Sequence, residues 1–209
     1  MPVAQTPTIA YIDGYNFYFG LRKTPAWREF YWINIVQLME TFIRPEQELV
    51  AVKYFTARPL DQEKALRQDL WFQANSDDSR FQLHLGHYLR KEFECYGCGR
   101  IIKTYEEKES DVRLATEIVA DAYSGAVHTA IVVSADSDMI PAVEHALRAG
   151  ANVHIYFPPN QHSSALSRYG MPTLLSHYKS RFRQSLLPDV VHLPNTDIVI
   201  PPQWKAYQR

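Results

Sequence analysis

Apolar and polar positions along the chain switch between a period of two and a period near 3.6. Thr8-Ile9-Ala10-Tyr11-Ile12 is a short β-rich run that stops at Asp13-Gly14, which predicts a buried strand and then a turn. In residues 33–43 the apolar positions Ile35, Met39, Phe42 and Ile43 recur at helical spacing, and Arg44-Pro45 ends the run. Residues 49–56 predict a second strand. A polar helix opened by Pro59 then runs to Asn75, with Leu66, Leu70 and Trp71 as its inward stripe. Residues 81–88 alternate as a third strand. Residues 111–123 predict a helix with Leu114, Ala115, Ile118 and Ala122 on one face. Residues 129–133 are apolar without alternation, the mark of a strand covered on both faces. A helix over 137–149, closed by Gly150, and a strand over 152–157 complete the series.

Strands alternating with helices in this way predict an α/β fold with a mainly parallel central sheet and helices on both faces. Two stretches break the rhythm. Residues 90–109 are charged and glycine-containing, and read as a small hairpin insertion. After two short helices near 163–169 and 174–184, residues 188–209 carry Pro194, Pro201 and Pro202 with no helical period. They read as an extended tail on a domain of residues 1–187, wrapping that domain or making a homo-oligomer contact.

Composition narrows the class without naming a chemistry. With 209 residues, 46% hydrophobic and 22% charged, the chain has the size and make-up of one globular domain. A chain of that length buries roughly 70% of its unfolded surface and needs no disulfide or structural metal to fold. Two cysteines exclude a disulfide scaffold and fit a reducing, cytoplasmic setting. No apolar run approaches the roughly 20 residues of a membrane span, and no charged-then-apolar leader opens the sequence. A formal charge of -1 excludes a generally basic nucleic-acid binder and leaves only local patches.

Chemistry enters with the carboxylates. Ligands of open parallel sheets bind outside the carboxyl ends of the strands. There this chain places Asp13 with Asn16 three residues on, then Ser110-Asp111, then Ser134-Ala135-Asp136-Ser137-Asp138. Each has a structural reading of its own. Asp13 can close a turn, Ser137 can cap a helix, and Asp111 and Asp138 suit a first helical turn. Together, four carboxylates on one edge repel by several kcal/mol unless a proton or cation lies between them. Oxygen-only ligands suit Mg²⁺ or Mn²⁺ rather than zinc or copper.

Tyr11-Ile12-Asp13-Gly14-Tyr15-Asn16, Glu107-Lys108-Glu109-Ser110-Asp111-Val112 and Val133-Ser134-Ala135-Asp136-Ser137-Asp138-Met139 resemble, in that order, the three signatures of the NYN domain. This is a PIN-like nuclease family, and the likeness is to its bacterial LabA-like branch, over roughly residues 9–178. The resemblance implies a three-layer α/β/α, Rossmann-like fold and Mg²⁺- or Mn²⁺-dependent cleavage of RNA. It makes Asp13, Asp111, Asp136 and Asp138 the metal-site acids, and Asn16 and Ser134 polar groups near the scissile phosphate. Ala135 stands where the family usually has glycine, and would oppose a positive φ; Met139 replaces a common phenylalanine. Some relatives act in regulation, and an oxygenase role has been assigned within the family. The rival haloacid dehalogenase-like phosphatases need a second Asp two residues after the first, and here that residue is Tyr15.

The reading that follows is a ribonuclease acting on single-stranded RNA, with a binding-only regulatory module and metal-assisted small-molecule chemistry as alternatives. Lys103 and Arg113 are placed near the acidic edge as phosphate contacts, Arg113 alternatively pairing with Glu117. Among Tyr15, Phe17, Tyr18 and Phe19 at least one is expected to stack on an unpaired base. Cys95-Tyr96-Gly97-Cys98 has the spacing of a zinc or redox pair. A Cys₂His₂ zinc site with His84 and His87 is not expected, because residues three apart on a strand face opposite ways.

Overall fold

The computed structural model describes residues 5–208. Seven strands form one sheet: β1 (Thr6–Asp13), β2 (Gln47–Ala57), β3 (Phe81–Glu94), β4 (Ile101–Lys108), β5 (Thr129–Val133), β6 (Asn152–Phe157) and β7 (Met171–Leu174). Their order is β4-β3-β2-β1-β5-β6-β7, and every pairing is parallel except β3 with β4. The helices are α1 (Gly14–Arg22), α2 (Ile35–Glu40), α3 (Gln62–Asn75), α4 (Ser110–Ser124), α5 (Ile140–Arg148), α6 (Lys179–Gln184) and α7 (Pro202–Lys205).

The period-two rule explains the layers. Ala10 and Ile12 of β1, with Ile131 and Val133 of β5, face one core with Phe17, Val36, Trp71 and Phe182. Their neighbours Ile9, Tyr11, Ala130 and Val132 face the other, with Leu114, Ile118, Val143 and Ala146. Helices α1, α2, α3 and α6 therefore cover one face and α4 and α5 the other. The three-layer α/β/α expectation holds.

Several local expectations are corrected. The turn after β1 is a helix, α1. Of the predicted inward stripe on α3, Trp71 is buried but Leu66 is 66% exposed, and Phe72 and Ala74 take its place. α3 starts at Gln62 rather than at Pro59, because the Asp61 side chain caps it by accepting from the Lys64 N–H. The segment 90–109 is the expected hairpin, but it also continues the sheet: β3 pairs with β2 through Gly86 and with β4 from His87 to Glu94. β7 was not expected. The tail is not extended: β8 (Val190–Leu193) and β9 (Thr196–Val199) form an antiparallel hairpin, followed by α7. Val191, Ile198 and Ile200 of this segment are buried in the first core.

Candidate active site

Parallel pairing sets the site. Ile12 of β1 lies opposite Val133 of β5, so Asp13 and Ser134 leave adjacent strands at the same level. Asp13 is 3% exposed and caps α1. Its Oδ1 accepts the Asn16 backbone N–H at 3.0 Å, and its Oδ2 accepts from Asn16 Nδ2 at 2.5 Å and Ser134 Oγ at 2.8 Å. The Ser134 oxygen in turn accepts the Asp136 N–H at 3.0 Å, and Asp136 Oδ1 accepts the Asp138 N–H at 3.0 Å. Asn16 Oδ1 receives the Ala135 N–H at 3.4 Å. A continuous chain of hydrogen bonds thus locks the β1–α1 corner to the loop after β5. Ala135 has no positive φ, so alanine costs nothing there. Met139 is buried in the second core.

Asp111 arrives from a third direction. Glu109, with φ of 82°, makes the left-handed corner before α4 and turns Ser110-Asp111 toward the strand ends. Ser110 is buried and donates its hydroxyl and its N–H to the Glu107 carboxylate. Gly86 makes room for that carboxylate, since a Cβ there would lie 2.4 Å from Glu107 Oε1.

The electrostatics show the convergence. Burial first, then the charges of Asp13, Glu107, Asp136 and Asp138, push the Asp111 carboxyl up to about 6. Burial also raises Asp13, against the three hydrogen bonds that favour its charged form. Asp13, Asn16, Asp111, Ser134, Asp136 and Asp138 are therefore brought together. Glu107 joins them unforeseen, although it stands inside the same signature, four residues before Asp111.

Among the described residues no three His, Cys, Asp or Glu side chains close on one point tightly enough to cage a metal ion. The donor set is instead an open fan of carboxylates on separate loops. That fits Mg²⁺ or Mn²⁺, which bind through one or two carboxylates and keep water or substrate oxygens elsewhere.

The other expected residues divide: Arg113 and Tyr15 stay near this edge, and Lys103 and the cysteines lie out on the hairpin. Lys103 lies on the hairpin arm, five residues from Lys108 at its base, roughly 17 Å along a strand, and is 4.0 Å from Glu92. Arg113 sits beside Glu109, 3.9 Å away, not beside Glu117. Glu117 pairs instead with Lys53, as does Asp121, at 2.7 and 2.6 Å. Tyr15 is half-buried, its hydroxyl 2.7 Å from that of Tyr88. Cys95 and Cys98 are free thiols in the turn between β3 and β4. Hydrogen bonds from Gly97 and Cys98 lower the Cys95 thiol below its ordinary value. His84 stacks on Phe55, whereas His87 faces Glu109.

Comparison with known proteins shows the family and the fold. The NYN domain is matched over residues 7–170. A 6-hydroxy-3-succinoylpyridine 3-monooxygenase of Pseudomonas putida, HspA, is 30% identical over 188 residues, covering 71% of this chain. The chain spans 57% of that relative's length. A crystal structure of a Vibrio parahaemolyticus protein of unknown function, VPA0982, superposes with a TM-score of 0.56 at 19% identity. That match covers 80% of this chain and 91% of the Vibrio chain, and shares the fold.

Proposed function

The chain belongs to the NYN domain family, a PIN-like nuclease family, and from that premise we propose that it hydrolyses phosphodiester bonds of single-stranded RNA with a divalent metal ion. One observation carries the reading: five carboxylates from three separated segments gather at one sheet edge, where burial first and then the charges of the other four raise Asp111 to about 6. Concentrated negative charge of this kind is offset by a cation or a proton. Asp13, Asp111, Asp136 and Asp138 would hold Mg²⁺ or Mn²⁺. When bound, the ion supplies an activated water and offsets charge on the phosphate.

The chain's own residues then have distinct work. Ser134 and Asn16 hold the Asp13 carboxylate in one orientation. The Ser134–Asp136 link keeps the second acidic loop in register with the first. A water gives up a proton and its oxygen bonds to phosphorus as the bond to the leaving ribose oxygen breaks, and that ribose oxygen takes up a proton from solvent.

A second reading has its own support. The Pseudomonas relative is named a monooxygenase of a substituted pyridine, and an aromatic-walled cleft adjoins the carboxylates here. A single-turnover assay on labelled single-stranded RNA separates the readings. Cleavage with Mn²⁺, none with chelator, and a loss of about hundredfold or more in Asp136→Asn support hydrolysis. RNA bound but uncut gives a regulatory module. Pyridine turnover without RNA binding gives the small-molecule enzyme.

A further inference from the structure

Beside the carboxylates lies a cleft of about 280 Å³ whose walls include Tyr15, Tyr54, Trp71, Tyr88 and Trp204. Three cations, Arg22, Lys64 and Arg67, line it and no carboxylate does. It is thus aromatic and positive where the neighbouring pocket is acidic. The two adjoin through α1 and the end of β2. Tyr15 follows Asp13-Gly14 directly and feels the charge of Glu107, while Tyr54 feels that of Asp13. The Tyr54 hydroxyl donates to the Gly14 carbonyl at 3.4 Å.

We propose that this cleft is the subsite for one unpaired nucleobase of the RNA strand, next to the phosphate held at the carboxylates. The inference rests on the hydrolytic reading and adds its recognition element. The volume lies near the lower end of the range of about 300–1,000 Å³ for small-ligand sites. It suits one heteroaromatic ring with part of its sugar. Gln68 also lines the cleft, and its side-chain amide carries both a donor and an acceptor for a base edge. Flat aromatic walls stack any base, and Arg22, Lys64 and Arg67 meet the phosphates that flank it.

One wall comes from outside the residues matched to the family. Trp204 belongs to the folded C-terminal segment and is held by Tyr31 and Trp32, with ring centroids 5.9 and 6.1 Å away. The segment expected to be an extended tail wrapping the domain or contacting another copy therefore folds and completes the cleft. Base recognition becomes a property of this chain's C-terminal segment as well as of its NYN domain.

The test is equilibrium binding to the full chain in chelator, read by tryptophan emission, so that neither metal nor cleavage is involved. The probes are an all-abasic five-nucleotide strand and the same strand carrying one central adenine. In the wild type the single adenine should tighten binding by about 5- to 150-fold, the range of one stacked base. In Trp204→Ala, and independently in Tyr88→Leu, that gain should fall below about twofold. Lys64→Gln should weaken both strands alike and keep the adenine gain. An adenine gain unchanged in both wall variants overturns the proposal. So does saturable binding of a pyridine carboxylate with no adenine gain. Either failure leaves RNA hydrolysis at the carboxylates standing, which metal-dependent cleavage tests separately.

Discussion

A metal ion at the carboxylates must compete with a proton on Asp111, and that competition has a calculable pH dependence. Asp111 is raised to about 6 in the folded chain, first by burial and then by the charges around it. The sign follows from linkage. A carboxyl raised above its unfolded value stabilises the fold while protonated, and that stability is lost as pH rises from about 4 through about 6. A cation binds the ionised form, so its stabilising effect grows across the same window. With one competing proton, affinity at pH 5 is at most about tenfold weaker than at pH 7.5, because solvent screens the exposed Asp111 side chain. For a domain of this size, that changes the metal-induced shift in Tm by up to about 6 °C. Thermal unfolding with saturating-range Mn²⁺ and with chelator, at both pH values, measures it. Wild type should show the larger Mn²⁺ shift at pH 7.5, and Asp111→Asn should show no such step. A Mn²⁺ shift independent of pH, or a pH step that survives in Asp111→Asn, would refute the reasoning.

Ser134→Ala removes the hydroxyl that ties Asp13 to the Asp136 loop, and should lower single-turnover cleavage by about 10- to 100-fold, as loss of a group orienting a metal ligand does; unchanged cleavage would contradict that role. Lys53→Ala removes the ammonium partner of Glu117 and Asp121 beneath α4, leaving Asp121 the Tyr11 hydroxyl at 2.7 Å and Glu117 partly open to solvent, and should cost about 1–3 kcal/mol in urea unfolding, whereas a cost under about 0.5 kcal/mol would show the pair to be dispensable. Single-stranded RNA binding should fall with salt at a log–log slope of about −2 for the three cleft cations. Arg22→Gln should flatten that slope by about 0.7 and Lys103→Glu should leave it alone; the reverse pattern would move the RNA path to the hairpin arm.

Asp13, Asp111, Asp136 and Asp138 were legible because each stands at a strand end or helix start, and parallel topology brings those ends to one edge. What stayed hidden depended on packing. α1 reads Gly-Tyr-Asn-Phe-Tyr-Phe-Gly, a poor helix former by propensity. It is held by the Asp13 cap and by burial of Phe17 and Leu21. β7 contains Pro172, which a strand tolerates at the sheet edge that β7 occupies. Leu66 is an apolar residue on the outer face of α3, so that one member of the stripe was misassigned, while Leu70 and Trp71 pack inward as expected. Lys103 lies close to Asp111 in sequence, yet the antiparallel pairing of β3 and β4 carries it away along the arm. The cleft was least legible of all. Tyr15 and Tyr88 meet across the sheet edge, and Trp204 joins them only because the C-terminal segment folds back onto the first core.

The most direct test of the central claim is single-turnover cleavage of single-stranded RNA with Mn²⁺ in ¹⁸O-labelled water, comparing wild type with Asp13→Asn. Cleavage by the wild type that leaves one solvent ¹⁸O in each new terminal phosphate monoester, and falls about hundredfold or more in the variant, is the predicted result. Cleavage that persists undiminished in Asp13→Asn, or that yields cyclic phosphate ends without solvent oxygen, would contradict it.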